Sequence, residues 1–363
     1  MSVLVFFTFI ALFGESYGEK LIRVETIYSK PAADATWAEL LGIVWVDFQP
    51  VKAVSDTWAS YPFFLWKEWY DKVGPGGCDG VIYGCYGCSS AECQQAPRKT
   101  FRYHNGKEVT LFPHVGVVLF DVNFERFVSP HVTFGLVVGP KNRPWASLGL
   151  SLKKVASERY VPLMDQLLPR KGFEGLIDKK AFSFYLDEGS LRGELILGGD
   201  DEKKHHGALE YVEAIHLDFA PPGISIAGLG IGNDSTNRID VSSVAFLDTG
   251  SSKMHIHESL KPRVLALLQS AGTKAVVIKE ESGSFIVACE DVKYLPSITF
   301  FMKGLQADEV SVDVFPDALK GERQDGSCEL ALAFGKVWYL GLPTVVGKCV
   351  SVNETRIGLG KAK

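Results

Sequence analysis

The sequence predicts an all-β protein that is large enough for two lobes, and three observations support this class. The chain has 363 residues, enough for two domains or one large bilobal fold, and 46% of them are hydrophobic. Its 36 glycines and 23 phenylalanines are typical of many short strands joined by tight turns. A strand-like segment followed by Asp-Thr occurs twice, at Asp56-Thr57 and Asp248-Thr249, 192 residues apart.

The second of these Asp-Thr segments has the residues that a positioned carboxylate requires. The apolar residues 244–247 predict a strand that delivers Asp248 to a turn containing Thr249, Gly250 and Ser251. Glycine permits a backbone conformation that other residues avoid, and hydroxyl groups can hydrogen-bond an ionised oxygen. A short Asp-Thr-Gly-Ser pattern alone most often marks an ordinary turn. The rest of the sequence therefore decides whether this turn positions a catalytic carboxylate.

This segment resembles the second active-site motif of the pepsin-like aspartic peptidases. The resemblance implies an all-β, bilobal pepsin-like fold, with two β-barrel-like lobes around a central cleft, here residues 19–199 and 200–363. It also implies that Asp56 and Asp248 form one dyad. Two close carboxylates share a proton, so that one acts as base on a water while the other donates to the scissile carbonyl.

The first motif departs from the family pattern. Asp56 and Thr57 are kept, but Trp58 replaces the glycine and Ala59 replaces the first serine. An indole must find volume in the most crowded part of the cleft, and any requirement for positive φ would add strain. Ala59 also removes a hydroxyl that would orient Asp56. The first motif is therefore interpreted as disrupted.

Three further segments resemble elements around the family's cleft. Residues 101–109 predict a hairpin that resembles the family's flap, with Tyr103 as the flap tyrosine or as an ordinary strand tyrosine. Trp66 matches an aromatic that follows the family's first motif. Residues 147–150 and 337–341 resemble the apolar-apolar-Gly segments that pack behind the two motifs.

The N-terminal segment predicts a secreted protein. Residues 1–18 are apolar, too short to span a bilayer and end in small residues, as a signal peptide does. No other segment is expected to cross a membrane. Residues 19–55 leave no room for an inhibitory propeptide before the first motif. Asn233 and Asn353 begin glycosylation sequons.

The seven cysteines suit an oxidising compartment. The resemblance implies disulfides that pair Cys289 with Cys328, Cys88 with Cys93 and then Cys78 with Cys85. Cys349 has no partner in this scheme. A zinc cluster built from the first four cysteines is the alternative, and the sequence leaves the connectivity open.

Other candidate sites are weaker. The net charge of −5 argues against nucleic acid as a partner. His255 and His257 share one strand face but are too few for a metal site, so they are expected to line the cleft. Residues 203–206 are expected to form a solvated loop. The sequence predicts no cofactor and no metal.

Two functional hypotheses follow. The favoured one is a secreted aspartic peptidase homologue with impaired or absent activity, whose cleft or surface binds an extended peptide or protein or an apolar ligand. The alternative is an active endopeptidase that cleaves polypeptides at acid pH through Asp56 and Asp248. In the alternative, Thr57 and Thr249 would brace the two turns and Tyr103 would close the flap.

Overall fold

The computed structural model describes residues 19–30, 35–89, 93, 96–103, 106–122, 125–128, 131–140, 144–153, 160–187, 192–216 and 221–363. The signal peptide predicted at residues 1–18 and the hairpin position 105 lie outside the described residues. Among the described residues, no helix has both the length and the apolar character needed to cross a bilayer.

The described part of the chain is mostly β-strand. In chain order, the strands are β1 (Ile22–Ser29), β2 (Glu39–Val46), β3 (Gln49–Val54), β4 (Phe63–Leu65), β5 (Lys99–Arg102), β6 (Glu108–Gly116), β7 (Val118–Val122), β8 (Glu125–Val128), β9 (Val132–Gly139), β10 (Ala181–Leu186), β11 (Arg192–Leu197), β12 (His205–Glu213), β13 (Gly223–Ile231), β14 (Ile239–Leu247), β15 (Met254–His257), β16 (Lys279–Glu281), β17 (Ser284–Ala288), β18 (Ile298–Lys303), β19 (Glu309–Val314), β20 (Lys320–Glu322), β21 (Ser327–Leu330), β22 (Leu332–Gly335), β23 (Trp338–Leu340), β24 (Lys348–Asn353) and β25 (Arg356–Ala362).

Helices in the described residues are few and short. The α-helices are α1 (Lys67–Val73), α2 (Leu163–Leu167) and α3 (Lys261–Ser270). The 3-10 turns are Gly77–Gly80, Glu202–Lys204, Ser235–Asn237, Glu258–Leu260, Cys289–Tyr294, Pro316–Leu319 and Leu342–Thr344. The predicted all-β, bilobal fold class is therefore confirmed.

Sheet pairing joins the two halves of the chain. A ten-stranded sheet runs in the order β12-β25-β24-β10-β11-β1-β2-β7-β8, with β3 paired to β2. The first half adds the sheet β4-β9-β6-β5, and the second adds β19-β18-β13-β14-β23-β15-β22 and β16-β17-β21-β20. The ten-stranded sheet takes strands from both sides of residue 199, and the lobe boundary proposed there stays a prediction.

Apolar patterning places the core between these sheets. Strand β1 buries alternate residues at its start, namely Ile22, Val24 and Thr26, as the period of two requires. Strand β4 is buried at all three of its positions, because it pairs with β9 inside the first lobe. The fixed strands hold the loops that follow β3 and β14, where the two Asp-Thr pairs lie.

One prediction about an element is wrong. Residues 203–206 were expected to form a solvated loop, but His205 begins β12 and is buried, with its Nδ1 2.7 Å from the Gly207 carbonyl oxygen. The pairing of β12 with β25 draws this segment into the ten-stranded sheet.

Candidate active site

Both Asp-Thr pairs lie immediately beyond the end of a strand. Strand β3 ends at Val54, two residues before Asp56, and β14 ends at Leu247, directly before Asp248. Each aspartate also bonds to the backbone of the segment behind it. The Leu150 N–H donates to the Asp56 carbonyl oxygen at 2.8 Å, and the Asp248 N–H donates to the Leu340 carbonyl oxygen at 3.0 Å. The two apolar-apolar-Gly segments therefore pack behind the two turns, as the resemblance implied.

Glycine is required in both of these supporting segments because backbones approach closely there. A Cβ on Gly149 would lie 2.4 Å from the Tyr61 carbonyl oxygen, and its φ is +64°. A Cβ on Gly341 would lie 2.1 Å from the Lys253 carbonyl oxygen. No side chain fits at either distance, so the glycines set how tightly each aspartate turn is held.

Reciprocal hydrogen bonds between the two threonines link the turns. The Thr57 N–H donates to Thr249 Oγ1, and the Thr249 N–H donates to Thr57 Oγ1, each at 3.1 Å. The Thr57 hydroxyl donates to the Leu247 carbonyl oxygen at 2.7 Å, and the Thr249 hydroxyl donates to the Ser55 carbonyl oxygen. Both threonines are buried. The network is symmetric and holds the two aspartate turns against one another.

Asp56 is buried and bonded on one oxygen. The N–H groups of Trp58 and Ala59 both donate to its Oδ1, at 2.8 and 3.1 Å. Burial raises the pKa of Asp56, while these two N–H groups and the charges of Lys107 and Lys153 act to lower it. The substitutions in the first motif therefore leave the backbone bonds to the carboxylate in place.

Asp248 is equally buried and has a similar backbone cradle. The Gly250 N–H donates to its Oδ1 at 3.0 Å. Burial first, and then the charge of Asp56, raise the pKa of Asp248 to about 8. The Ser251 hydroxyl was expected to support this carboxylate, but it donates to the Lys253 carbonyl oxygen at 2.9 Å, so Ser251 contributes through its backbone.

Gly250 lies directly between the two carboxylates. A Cβ at this position would be 2.7 Å from Asp56 Oδ1 and 2.8 Å from Asp56 Cγ, while the glycine's own N–H bonds to Asp248. The φ of Gly250 is not in the left-handed region. Glycine is needed here for the close approach of Asp56 and not for an unusual backbone conformation.

Trp58 occupies the corresponding position in the first turn without backbone strain. Its φ also lies outside the left-handed region, so the strain considered from the sequence does not arise. The half-buried indole packs edge-on against Phe246 and Tyr339 of the second lobe, with ring centroids 5.7 and 5.5 Å apart. The indole therefore packs against the side chains of β14 and β23 that form one wall of the recess.

The two aspartates line one central recess. Its other lining residues are Glu39, Val54, Trp58, Tyr103, Lys107, Trp145 and Gly250. Tyr103 comes from the hairpin of β5 and β6 and packs edge-on against Trp145 at 5.5 Å. Burial, and then the charge of Asp56, hold the pKa of Tyr103 well above its ordinary value, so its phenol stays neutral.

Trp66, which matches the aromatic that follows the family's first motif, is not among the residues that line the recess. Trp66 lies inside the first lobe, where its Nε1 donates to the Cys88 carbonyl oxygen at 3.1 Å and its ring packs on Phe112. Trp145 is the aromatic residue that packs beside Tyr103. It lies just before the segment at residues 147–150, which is the signal in the sequence that would have found it.

Three charged residues near the dyad were not singled out from the sequence. Glu39 accepts a hydrogen bond from the Tyr83 hydroxyl at 2.5 Å, and burial raises its pKa. Lys107 follows the hairpin turn and lies with its Nζ 5.5 Å from the Trp145 ring. Lys153 lies with its Nζ 6.0 Å from the ring of Trp58.

The cysteines are paired as the resemblance implied. The disulfides are Cys78–Cys85, Cys88–Cys93 and Cys289–Cys328, and Cys349 is buried with a free thiol. The four sulfurs considered for a zinc cluster are therefore disulfide-bonded and cannot act as thiolate ligands.

The remaining sequence candidates lie away from the recess. His255 packs edge-on against Tyr339, and His257 Nδ1 lies 2.7 Å from the Ser259 hydroxyl, so neither is among the recess-lining residues. The sequon residue Asn233 is exposed, whereas the side-chain oxygen of Asn353 accepts the Thr355 N–H at 2.9 Å.

The chain belongs to the pepsin-like aspartic peptidases. A family model described as eukaryotic aspartyl protease matches residues 146–348, which includes the Asp248 turn and begins after the Asp56 turn.

Curated relatives extend this result. The chain is 25% identical to pregnancy-associated glycoprotein 2 of Bos taurus over 241 residues, which cover 61% of this chain and 59% of the relative. It is 29% identical to cathepsin D of Mus musculus over 231 residues, 59% of this chain and 52% of the relative. It is also 29% identical to renin-2 of Mus musculus over 231 residues, 60% and 53% respectively. The matches thus span a little over half the length of these relatives.

Proposed function

We propose that this chain is a secreted acid endopeptidase that binds an extended peptide in the central recess and cleaves it through Asp56 and Asp248. One carboxylate takes a proton from a water and the other donates a proton to the scissile carbonyl oxygen. The observation that carries this proposal is the reciprocal bonding of Thr57 and Thr249, which holds both aspartates in one recess.

Burial supports the acid pH range of the proposal. Two carboxylates that are buried together ionise one at a time, and the raised pKa of Asp248 is what a shared proton requires. Tyr103, neutral and next to Trp145, is positioned to cover a bound peptide as a flap residue. The family membership of the chain agrees with this chemistry.

A second candidate is the one favoured by the sequence, a peptide-binding protein with an impaired centre. Trp58 and Ala59 favour it, because the indole takes part of the recess and the serine hydroxyl is replaced by a methyl group. Both backbone bonds go to Asp56 Oδ1, and the described residues donate no hydrogen bond to its Oδ2. A carboxylate held on one side is oriented less firmly than one held on both.

Digestion of casein at acid pH separates the two candidates. The first predicts cleavage by the wild-type protein that falls at least about 1000-fold in both Asp248→Asn and Asp56→Asn, because neither variant can share a proton. Absence of cleavage by wild-type protein that still binds peptide would contradict the first candidate and leave the second.

The Trp58→Gly variant measures how far the indole lowers peptidase activity. If Trp58 only narrows the recess, the variant keeps the pH range of the wild type and raises kcat/KM. If Trp58 abolishes turnover, the wild type is inactive and the variant gains activity that Asp248→Asn removes.

A further inference from the structure

One face of the second lobe's sheet carries a row of rings. Phe246 of β14 pairs in register with Tyr339 of β23, and Tyr339 pairs with His255 of β15. Residues paired in register project to the same face of a sheet, so the three rings lie side by side. Ring centroids are 6.2 Å apart between Phe246 and Tyr339, and 5.2 Å apart between Tyr339 and His255.

This row of rings begins beside the dyad. Alternate residues of a strand point to the same face, and Asp248 follows Phe246 by two positions. The hydrogen bond from the Asp248 N–H to the Leu340 carbonyl oxygen extends the ladder between β14 and β23 beyond the end of β14. Asp248 therefore keeps the direction of Phe246, and the rings form the wall next to its carboxyl group.

The indole of Trp58 covers this wall. It crosses from the first turn and meets the rings of Phe246 and Tyr339 edge-on, at 5.7 and 5.5 Å. Beneath it, Phe246 and Tyr339 are only 8% and 6% exposed. Trp58 is itself half-buried and lines the recess. The indole therefore fills the space beside Asp248 in which the two rings would otherwise meet a bound apolar side chain.

The geometry of an extended peptide limits which substrate residue meets the indole. Successive side chains of an extended chain point in opposite directions. When the scissile bond lies at Asp56 and Asp248, only one of the two residues that flank this bond can direct its side chain towards Trp58. The side chain of the other flanking residue points to different walls of the recess.

We infer that Trp58 restricts the recess to peptides with a small residue, glycine or alanine, on one side of the scissile bond, because the indole takes the place of that residue's side chain. The inference rests on the proposed peptide-binding function and adds the class of substrate. On the other side of the bond, a large apolar side chain is accepted. Trp58 acts on specificity and takes no part in proton transfer.

A binding experiment tests this inference without requiring turnover. The probes are three labelled peptides, each with a reduced bond at the scissile position, an acetylated N-terminus and an amidated C-terminus. They differ only in the two residues that flank this bond: glycine on both sides, phenylalanine before it, or phenylalanine after it. Affinities are measured at about pH 5 for the wild type, Trp58→Gly, Trp58→Ala and the control Trp69→Ala, which removes a half-buried tryptophan packed on Tyr70 in α1.

The wild type and Trp69→Ala should bind one of the two phenylalanine peptides at least about tenfold more weakly than the glycine peptide. Trp58→Gly and Trp58→Ala should bind that same peptide at least about tenfold more tightly than the wild type does, because Phe246 and Tyr339 then bury its ring. The affinity for the other phenylalanine peptide should change by less than about threefold, which shows that both variants keep a folded recess.

Equal binding of the two phenylalanine peptides by the wild type, or no binding of any probe, would overturn the inference. So would an exclusion of phenylalanine that persists in both Trp58 variants. The result is separate from casein digestion. A protein that excludes phenylalanine on one side but digests nothing loses the peptidase proposal and keeps this inference, and one that digests casein but accepts phenylalanine on both sides does the reverse.

Discussion

At the scale of single residues, Gly250 and Trp58 hold equivalent positions in the two turns under different constraints. The carboxyl group of Asp56 occupies the space that a Cβ on Gly250 would need, so that any side chain there would displace it. Trp58 directs its indole to Phe246 and Tyr339, and its N–H still donates to Asp56. The loss of a glycine in the first turn is therefore compatible with an intact carboxylate cradle.

A Gly250→Ala variant should lose most of its acid peptidase activity and unfold more easily, by about 1–3 kcal/mol, because the added methyl group meets Asp56 Oδ1 at 2.7 Å. Casein digestion and urea denaturation measure the two effects. Gly335→Ala is the matched control, since a Cβ there meets no atom within 4 Å, and it should change stability by less than about 0.5 kcal/mol. Equal behaviour of the two variants would contradict this account of Gly250.

The residues that form the recess differ in how well the sequence predicts them. Asp248 and its turn are recognisable because the strand, the carboxylate and the glycine are contiguous in the chain. Glu39 and Lys107 reach the recess from separate segments, and no local pattern marks them, whereas the only sequence signal for Trp145 is its position just before residues 147–150. Their roles depend on which segments the fold brings together, so the structure was needed to find them.

At the scale of elements, the loops after β3 and β14 are held to each other by the hydrogen bonds of Thr57 and Thr249. Thr57 Oγ1 accepts the Thr249 N–H and donates to the Leu247 carbonyl oxygen, both in buried surroundings. Removal of this hydroxyl would leave a buried donor and a buried acceptor without partners. The two aspartates would then no longer be held in a fixed position relative to each other.

A Thr57→Val variant should be destabilised by about 1–3 kcal/mol and should lose kcat more than it loses KM, because the dyad geometry is disturbed while the recess walls remain. Denaturation curves and steady-state kinetics check this. Thr299→Val is the control, because its hydroxyl bonds to Asp313 at an exposed site and should contribute less than about 1 kcal/mol. A stable and fully active Thr57→Val protein would show that the threonine network is dispensable.

Elements were predicted best where the pattern is local. The apolar residues 244–247 anticipated the end of β14, and residues 101–109 anticipated the hairpin of β5 and β6. The prediction failed at His205, which is polar in sequence yet buried, because β12 pairs with a strand more than a hundred residues away.

At the scale of the whole molecule, the buried dyad makes stability depend on pH. A carboxyl group whose pKa is higher in the folded than in the unfolded chain binds more protons when folded, so stability declines as the pH rises between the two values. For Asp248 this window runs from about 4, its ordinary value, to about 8. Carboxylates with a lowered pKa, such as Asp201, act in the opposite sense below the window.

Urea denaturation at about pH 4.5 and about pH 7.5 should show this decline in the wild type. In Asp248→Asn, which mimics the protonated carboxyl, the decline should be smaller by on the order of a few kcal/mol. The comparison cancels the contribution of the carboxylates outside the pair, so that the difference reports the titration of Asp56 and Asp248 together. The same slope in the two proteins would contradict the raised pKa of Asp248.

The most direct measurement of the central claim is the affinity of a statine-type peptide, which mimics the transition state, for the wild type, Asp56→Asn and Asp248→Asn at about pH 4.5. If the two aspartates act as one proton-sharing pair, the wild type binds tightly and each variant loses at least about 100-fold in affinity. Equal, weak binding by all three proteins would contradict the claim that Asp56 and Asp248 form a working dyad.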